Sequence, residues 1–234
     1  LRGAAREPEI VDLGRFLNAC GARVRGMGTD SIRISGRDAP LHGCTYAPLP
    51  DSICAGTLLC GAAITGGDVY VRDAREQDLS ALLHKLRETG CEIHLPQGGG
   101  VRAIAPKRLR AVRRIETAPF PGFPTDMQAQ MSAVLTRARG TSVVVENVFE
   151  NRMGYAAELC RMGADIQISG RTAVIRGVKA LDGARVCARD LRGGAALCLA
   201  GLVEGVELID RGHDKLEDTL LALGGSIRRI TEEQ

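Results

Sequence analysis

Tryptophan is absent from the 234 residues, and aromatic side chains together make up only 3%. The stacking platforms on which proteins hold single-stranded nucleic acid are therefore missing. A surplus of one charge is missing too: 31 basic and 28 acidic side chains leave a net charge of +3 and are interspersed along the chain. Nucleic acid is not an expected partner. No apolar run approaches the roughly 20 residues that cross a bilayer, and the opening LRGAAREPEI lacks the apolar stretch of a secretory signal. We expect no membrane partner and a cytoplasmic location. The 8 cysteines form no CxxC pair, and most lie in apolar contexts such as Leu59-Cys60-Gly61 and Leu197-Cys198-Leu199. They read as small buried hydrophobes in a reducing compartment. His42, His84, His94 and His213 are scattered, so no metal site is expected. The first residue is Leu1 rather than Met, from which we expect the natural start of the reading frame to be absent.

What is present is a 44% hydrophobic chain that repeats itself weakly. Helical patterns rich in Ala and Leu (SICAGTLLCGAAIT, MQAQMSAVLTRA, LRGGAALCLAGLV) each lead into a strand pattern, GGDVYVRDA, GTSVVVENV and EGVELID. A second pattern, a helix closing on glycine and then a strand, recurs with Gly21, Gly90, Gly163 and Gly224 as markers. Three of these continue through a turn into another strand: GTDSIRISG, GGGVRAIAP and GRTAVIRGV. The unit is helix, strand, helix, strand, turn, strand, repeated at about 60 to 75 residues, which predicts mixed sheets with largely buried helices packed inside. The interval is 23 positions from Gly67 to Gly90 and from Gly140 to Gly163, but 19 from Gly205 to Gly224, so the last unit is shortened. A domain boundary is expected near LHGCTYAPLPDS, with residues 1–50 ending one domain and 51–234 forming a three-unit domain.

Three aspartates open the first helix of a unit: Asp51, Asp126 and Asp190. A carboxylate there is favoured by the helix dipole, and Thr125 with Gln128 has the spacing of a capping box, so helix capping accounts for all three. Arg152, Arg192 and Arg211 stand beside turns or helix starts, where a guanidinium could pair with phosphate or carboxylate or could simply be a solvated charge. In TAPFPGFPTDMQAQ three prolines surround two phenylalanines just before a helix. That arrangement suits either a stiff, packed loop or the delivery of Asp126 as a positioned carboxylate base.

AAREPEIVDLGRFL, FPGFPTDMQAQ, VFENRM and DRGHDKLED with LGGSI resemble the enolpyruvyl transferases, in particular those acting on UDP-N-acetylglucosamine. The resemblance runs along essentially the whole chain, and FPTDMQAQ combined with FENR sets that branch apart from its shikimate-pathway relatives. It implies an α/β fold of inside-out barrels built from βαβαββ units, here incomplete. It also implies transfer of the enolpyruvyl group of phosphoenolpyruvate to the sugar 3-hydroxyl, a first step of bacterial cell-wall peptidoglycan synthesis. Carried over by position, Asp126 would be the base and Val148 and Phe149 sugar-nucleotide contacts. Arg152, Arg192 and Arg211 would line the phosphoenolpyruvate anion, with Asp190 a polar residue of the same region. No metal or organic cofactor is implied. The family's chains carry a longer N-terminal stretch, so this chain alone is expected not to turn over without that segment or another chain.

Four features depart from the family pattern: Ser52 and Cys54 in place of Arg and Glu, Gly193-Gly194 in place of helix-forming residues, and a gap of about six residues before Asp210 that shortens the connection to Arg211. They leave room for a non-catalytic remnant or a module that binds a nucleotide sugar or a partner; a transferase acting on shikimate 3-phosphate is the other alternative.

Overall fold

A computed structural model describes residues 1–36, 38–201, 213 and 215–224. The first elements are α1 (Pro8–Ala19) and a two-stranded antiparallel ribbon, β1 (Arg23–Arg25) with β2 (Arg33–Ser35). Residues 38–51, without helix or strand, then lead to α2 (Ser52–Thr65). This helix starts on Asp51, whose carboxylate accepts hydrogen bonds from the Ile53 and Cys54 amides, and ends on Gly66 in the left-handed conformation. Its sequence carries no charge, and Leu59 and Cys60 are fully buried. Such a helix has no solvent face to present.

β3 (Asp68–Val71), α3 (Glu76–Glu88), β4 (Glu92–His94) and β5 (Val101–Ile104) complete the first unit. The strands form an antiparallel sheet of order β3-β5-β4. α3 is amphipathic, with Leu79, Leu82, Leu83 and Leu86 inward. The second unit contains β6 (Arg114–Glu116), α4 (Gln128–Thr136), β7 (Thr141–Val145), α5 (Tyr155–Arg161), β8 (Asp165–Ser169) and β9 (Thr172–Arg176). Its sheet has the order β6-β7-β9-β8, with β6 parallel to β7 and the other pairs antiparallel. Of the third unit, α6 (Leu191–Ala200) and α7 (Leu216–Ala222) are described. The EGVELID strand pattern, the strand after Gly224 and Arg211 lie outside the described residues.

The helices that open each unit, α2, α4 and α6, pack against one another at the centre. All nine residues of α4 are buried, including Gln128, Gln130, Ser132 and Thr136. Burial of these polar groups is tolerable where they find partners: Ser132 donates to the Gln128 carbonyl at 2.8 Å, Thr136 to the Ala133 carbonyl at 2.6 Å, and Gln130 to Thr57 Oγ1 at 3.2 Å. The sheets lie outside and face them with Val101, Ala103, Val144, Ala173 and Ile175. Helices inside and sheets outside is the arrangement expected from the repeat. The markers Gly90 and Gly163 end their helices at φ +97° and +86°, where a side chain would be strained.

Two expectations need correction. Strand β6 opens the second unit and makes it a full βαβαββ, whereas periodicity alone started the unit at its helix; a single apolar residue between two charges, Arg114-Ile115-Glu116, is too short a pattern to read. No equivalent strand is described within residues 38–51. The cysteines are not uniformly buried hydrophobes, since Cys44 and Cys160 are exposed.

Candidate active site

Asp126 lies in a single 3₁₀ turn, Thr125–Met127, which feeds α4. The expected capping box does not form: neither the turn nor α4 has a side-chain cap, and the Gln128 amide donates instead to Met153 Sδ at 2.9 Å. Freed from capping, the Asp126 carboxylate is held by two guanidiniums. Oδ1 accepts from Arg152 Nη2 at 2.6 Å, and Oδ2 accepts from Arg192 Nη2 at 2.7 Å. Arg152 comes from the loop between β7 and α5, and Arg192 from the first turn of α6. Residues distant in sequence thus meet at the ends of the central helices.

Asp51 and Asp190 behave differently. Each caps its own helix, Asp190 accepting from the Arg192 amide at 3.0 Å and the Gly193 amide at 2.8 Å. The Asp190 carboxylate therefore fixes the turn that carries Arg192. A Cβ on Gly193 would lie 2.7 Å from Asp190 Oδ2 and 3.2 Å from Tyr155 Cβ, so the glycine makes room for the cap.

Burial opposes ionisation of Asp126, but the hydrogen bond and charge of Arg192, and then those of Arg152, outweigh it and hold the carboxyl below its usual range. The triad carries two positive charges and one negative, a net cationic site partly open to solvent, with the Asp126 side chain 35% exposed. A second carboxylate supports it from behind. Glu146 is 1% exposed, and its Oε1 accepts from the Thr117 hydroxyl and the Val148 and Phe149 amides at 2.8, 2.8 and 3.1 Å. Its Oε2 accepts from the Thr125 hydroxyl at 2.8 Å, and Thr125 Oγ1 in turn accepts from Arg152 Nη1 at 2.8 Å. One buried group thereby fixes the backbone of Val148 and Phe149, the Thr125 turn and, through it, Arg152.

Val148 and Phe149 are exposed, and the Phe149 ring lies 4.7 Å from the Arg152 guanidinium, within cation–π range. Both line a cleft of about 370 Å³ that Asp126 also borders, walled by Phe120, Pro121, Leu79 and Ile10. The proline-rich loop thus both packs and shapes the cleft. His213 is 3% exposed, and among the described residues neither ring nitrogen has a hydrogen-bond partner; burial and then the Arg192 charge lower its pKa, favouring the neutral ring.

Reading of the sequence missed Glu146 and His213. Glu146 had a signal: the alternation that buries Ser142 and Val144 in β7 puts residue 146 on the same inward side. A charged residue at an inward position needs a reason. His213 had none: the charges it feels, those of Arg192 and Asp51, come from other parts of the chain. Among the described residues no cluster of His, Cys, Asp and Glu has the form of a metal site, and no helix is long and apolar enough to cross a membrane.

Known proteins share this arrangement of elements. The enolpyruvyl transferase NikO of Streptomyces tendae superposes with a TM-score of 0.84 at 23% identity, covering 97% of this chain and 56% of that one. EPSP synthase of Acinetobacter baumannii superposes with a TM-score of 0.66 at 18% identity, covering 89% and 53%. At these identities the likeness speaks for the fold. By sequence, the chain is 52% identical over 236 residues to UDP-N-acetylglucosamine 1-carboxyvinyltransferase of Myxococcus xanthus. It is 50% identical over 237 residues to UDP-N-acetylglucosamine 1-carboxyvinyltransferase 2 of Caldanaerobacter subterraneus subsp. tengcongensis. Both alignments cover 98% of this chain and 56% of the relative, so the chain spans little more than half their length. The family model described as EPSP synthase (3-phosphoshikimate 1-carboxyvinyltransferase) matches residues 1–220. With its helices enclosed by sheets and this match along most of its length, the chain belongs to the EPSP synthase family of enolpyruvyl transferases.

Proposed function

We propose that the chain supplies one side of the active site of a UDP-N-acetylglucosamine 1-carboxyvinyltransferase, with residues 1–50 closing one domain and 51–234 forming the other. The observation that carries this reading is the Arg152–Asp126–Arg192 triad at the edge of an apolar cleft. Relatives of that name at 50% identity and the FPTDMQAQ and FENR segments favour UDP-N-acetylglucosamine over shikimate 3-phosphate as acceptor.

In this reaction the sugar 3-hydroxyl oxygen bonds to C2 of phosphoenolpyruvate as its proton passes to Asp126, and C3 takes a proton from solvent. The tetrahedral adduct then returns a proton from the new methyl group to solvent while the bond from C2 to the phosphate oxygen breaks and phosphate leaves. Asp126 clamped by two cations is a weak base. An anionic substrate competes for the same guanidiniums, and as Arg152 and Arg192 turn to phosphate or carboxylate, burial is left to raise the Asp126 pKa. The base is thereby released when the anion is in place. Two preorganised guanidiniums also suit a reaction whose substrate and leaving group are both anionic. Val148 and Phe149 would face the sugar nucleotide across the cleft, with Asp190 holding the turn of Arg192. Arg211 would complete the cationic lining.

The test is phosphate release from phosphoenolpyruvate and UDP-N-acetylglucosamine by the chain combined with the N-terminal part of an intact relative. Turnover that falls about 10²–10⁴-fold in Asp126→Ala is the expected outcome. UDP-N-acetylglucosamine binding without turnover by a folded complex would instead identify a nucleotide-sugar-binding module.

A further inference from the structure

Cys20 and Cys44 are 24 residues apart in sequence, yet their sulfurs lie 3.4 Å apart. Cys20 ends α1 and is 9% exposed; Cys44 is exposed, in the irregular segment that leads to Asp51 and α2. Their proximity rests on several anchors. The His42 amide donates to the Cys20 carbonyl at 3.0 Å. The Tyr46 hydroxyl donates to Asp12 Oδ1 at 2.7 Å and the Leu49 amide to Asp12 Oδ2 at 3.2 Å. The Tyr46 ring stacks edge-on against Phe16 with centroids 5.5 Å apart. Both sides of Cys44 are thus strapped to α1. Closing the sulfurs to a bond of about 2.05 Å needs a movement of about 1.3 Å, within the reach of side-chain rotation.

We propose that Cys20 and Cys44 form a reversible thiol–disulfide site that responds to small-molecule disulfides of the glutathione type and locks the segment before α2 onto α1. The exposed sulfur reacts first. The Cys44 thiolate attacks one sulfur of the small disulfide, forming a mixed disulfide and expelling one thiolate. Cys20 then loses its proton and attacks the Cys44 sulfur, expelling the second small thiolate and leaving a Cys20–Cys44 bond. Two protein thiols give up two electrons and two protons, and the small disulfide becomes two thiols. Cys20 suits the second role: its hydrogen bond to Cys44, and then its burial, raise its pKa and keep it protonated until the mixed disulfide forms. Cys160 provides an internal contrast, because it is also exposed but hydrogen-bonds the Ile166 carbonyl at 3.6 Å rather than a second thiol. This site is independent of the proposed reaction.

The experiment treats the folded chain with oxidised glutathione, quenches with an alkylating agent and maps the products by mass spectrometry after trypsin and chymotrypsin, which separate Cys44 from Cys54. The expected product is a Cys20–Cys44 linked peptide, with glutathione persisting on Cys160 but not on Cys44, and with full reversal by a reducing thiol. In Cys20→Ser the glutathione adduct should remain on Cys44; in Cys44→Ser, Cys20 should stay unmodified. A stable glutathione adduct on Cys44 of the unaltered chain, or a cross-link between other cysteines at equal yield, would overturn the proposal.

Discussion

At the scale of single residues the most consequential side chain is Glu146, because four donors converge on a carboxylate with almost no access to water. Glu146→Ala leaves two hydroxyls and two amides without their acceptor. We expect a loss of about 3 kcal/mol or more, read from urea unfolding. Glu146→Gln keeps an oxygen for Thr117, Val148 and Phe149 and changes only the contact with Thr125, so a loss nearer 1 kcal/mol is expected. Asp126 gives a pH prediction. Its pKa is lowered in the folded chain, so its contribution to stability is present above the unfolded value of about 3.9 and is lost as pH falls through the lower folded value. Asp126→Asn removes that titration. The gap in urea midpoint between the two proteins should be widest at neutral pH and should narrow below about pH 4; a gap that stays constant to pH 3 would show that the arginine clamp does not set the carboxyl.

At the scale of elements, three aspartates share one sequence position but not one job. Asp51 and Asp190 cap α2 and α6 through two amides each, while Asp126 faces two arginines. Asp51→Ala should cost about 1 kcal/mol of stability, as an N-cap loss does. Asp190→Ala should cost as much and, by loosening the turn that carries Arg192, should also reduce phosphate release by the completed enzyme. Close packing makes its own prediction at the end of β9. A Cβ on Gly177 would land on the Ala138 carbonyl, which is backbone and cannot swing aside. Gly177→Ala should therefore destabilise by about 2–3 kcal/mol or more, measurable as a lowered unfolding midpoint.

For the whole molecule, the enclosed position of α4 sets the order in which parts open. Its residues are buried throughout, and the second sheet and the other central helices pack around it, whereas β1, β2 and the irregular segment before α2 lie toward solvent. In hydrogen exchange the α4 amides should be the slowest, opening only with global unfolding, and the β1–β2 ribbon should exchange far sooner. The same layout explains why the repeat could be read in advance. Central helices are nearly free of charge, helix ends call for glycine at positive φ, and outer strands alternate, so each leaves a trace in GTLLCGAAIT, in Gly90 and Gly163, and in TAVIR.

Periodicity and composition by themselves determined the class of fold and, apart from β6, the helix-strand order, because burial of a helix or strand face imposes a local pattern on neighbouring residues, whereas the roles of the candidate carboxylates and arginines came from the family resemblance. Periodicity and composition left capping and a positioned base equally open for Asp126. Only the tertiary structure separated Asp126 from Asp51 and Asp190, revealed Glu146 and His213, and brought Cys20 to Cys44. The physical reason is that hydrogen-bond partners and desolvation come from segments far apart in the chain: Arg192 reaches Asp126 across 66 residues and Cys44 reaches Cys20 across 24. No local pattern records such meetings.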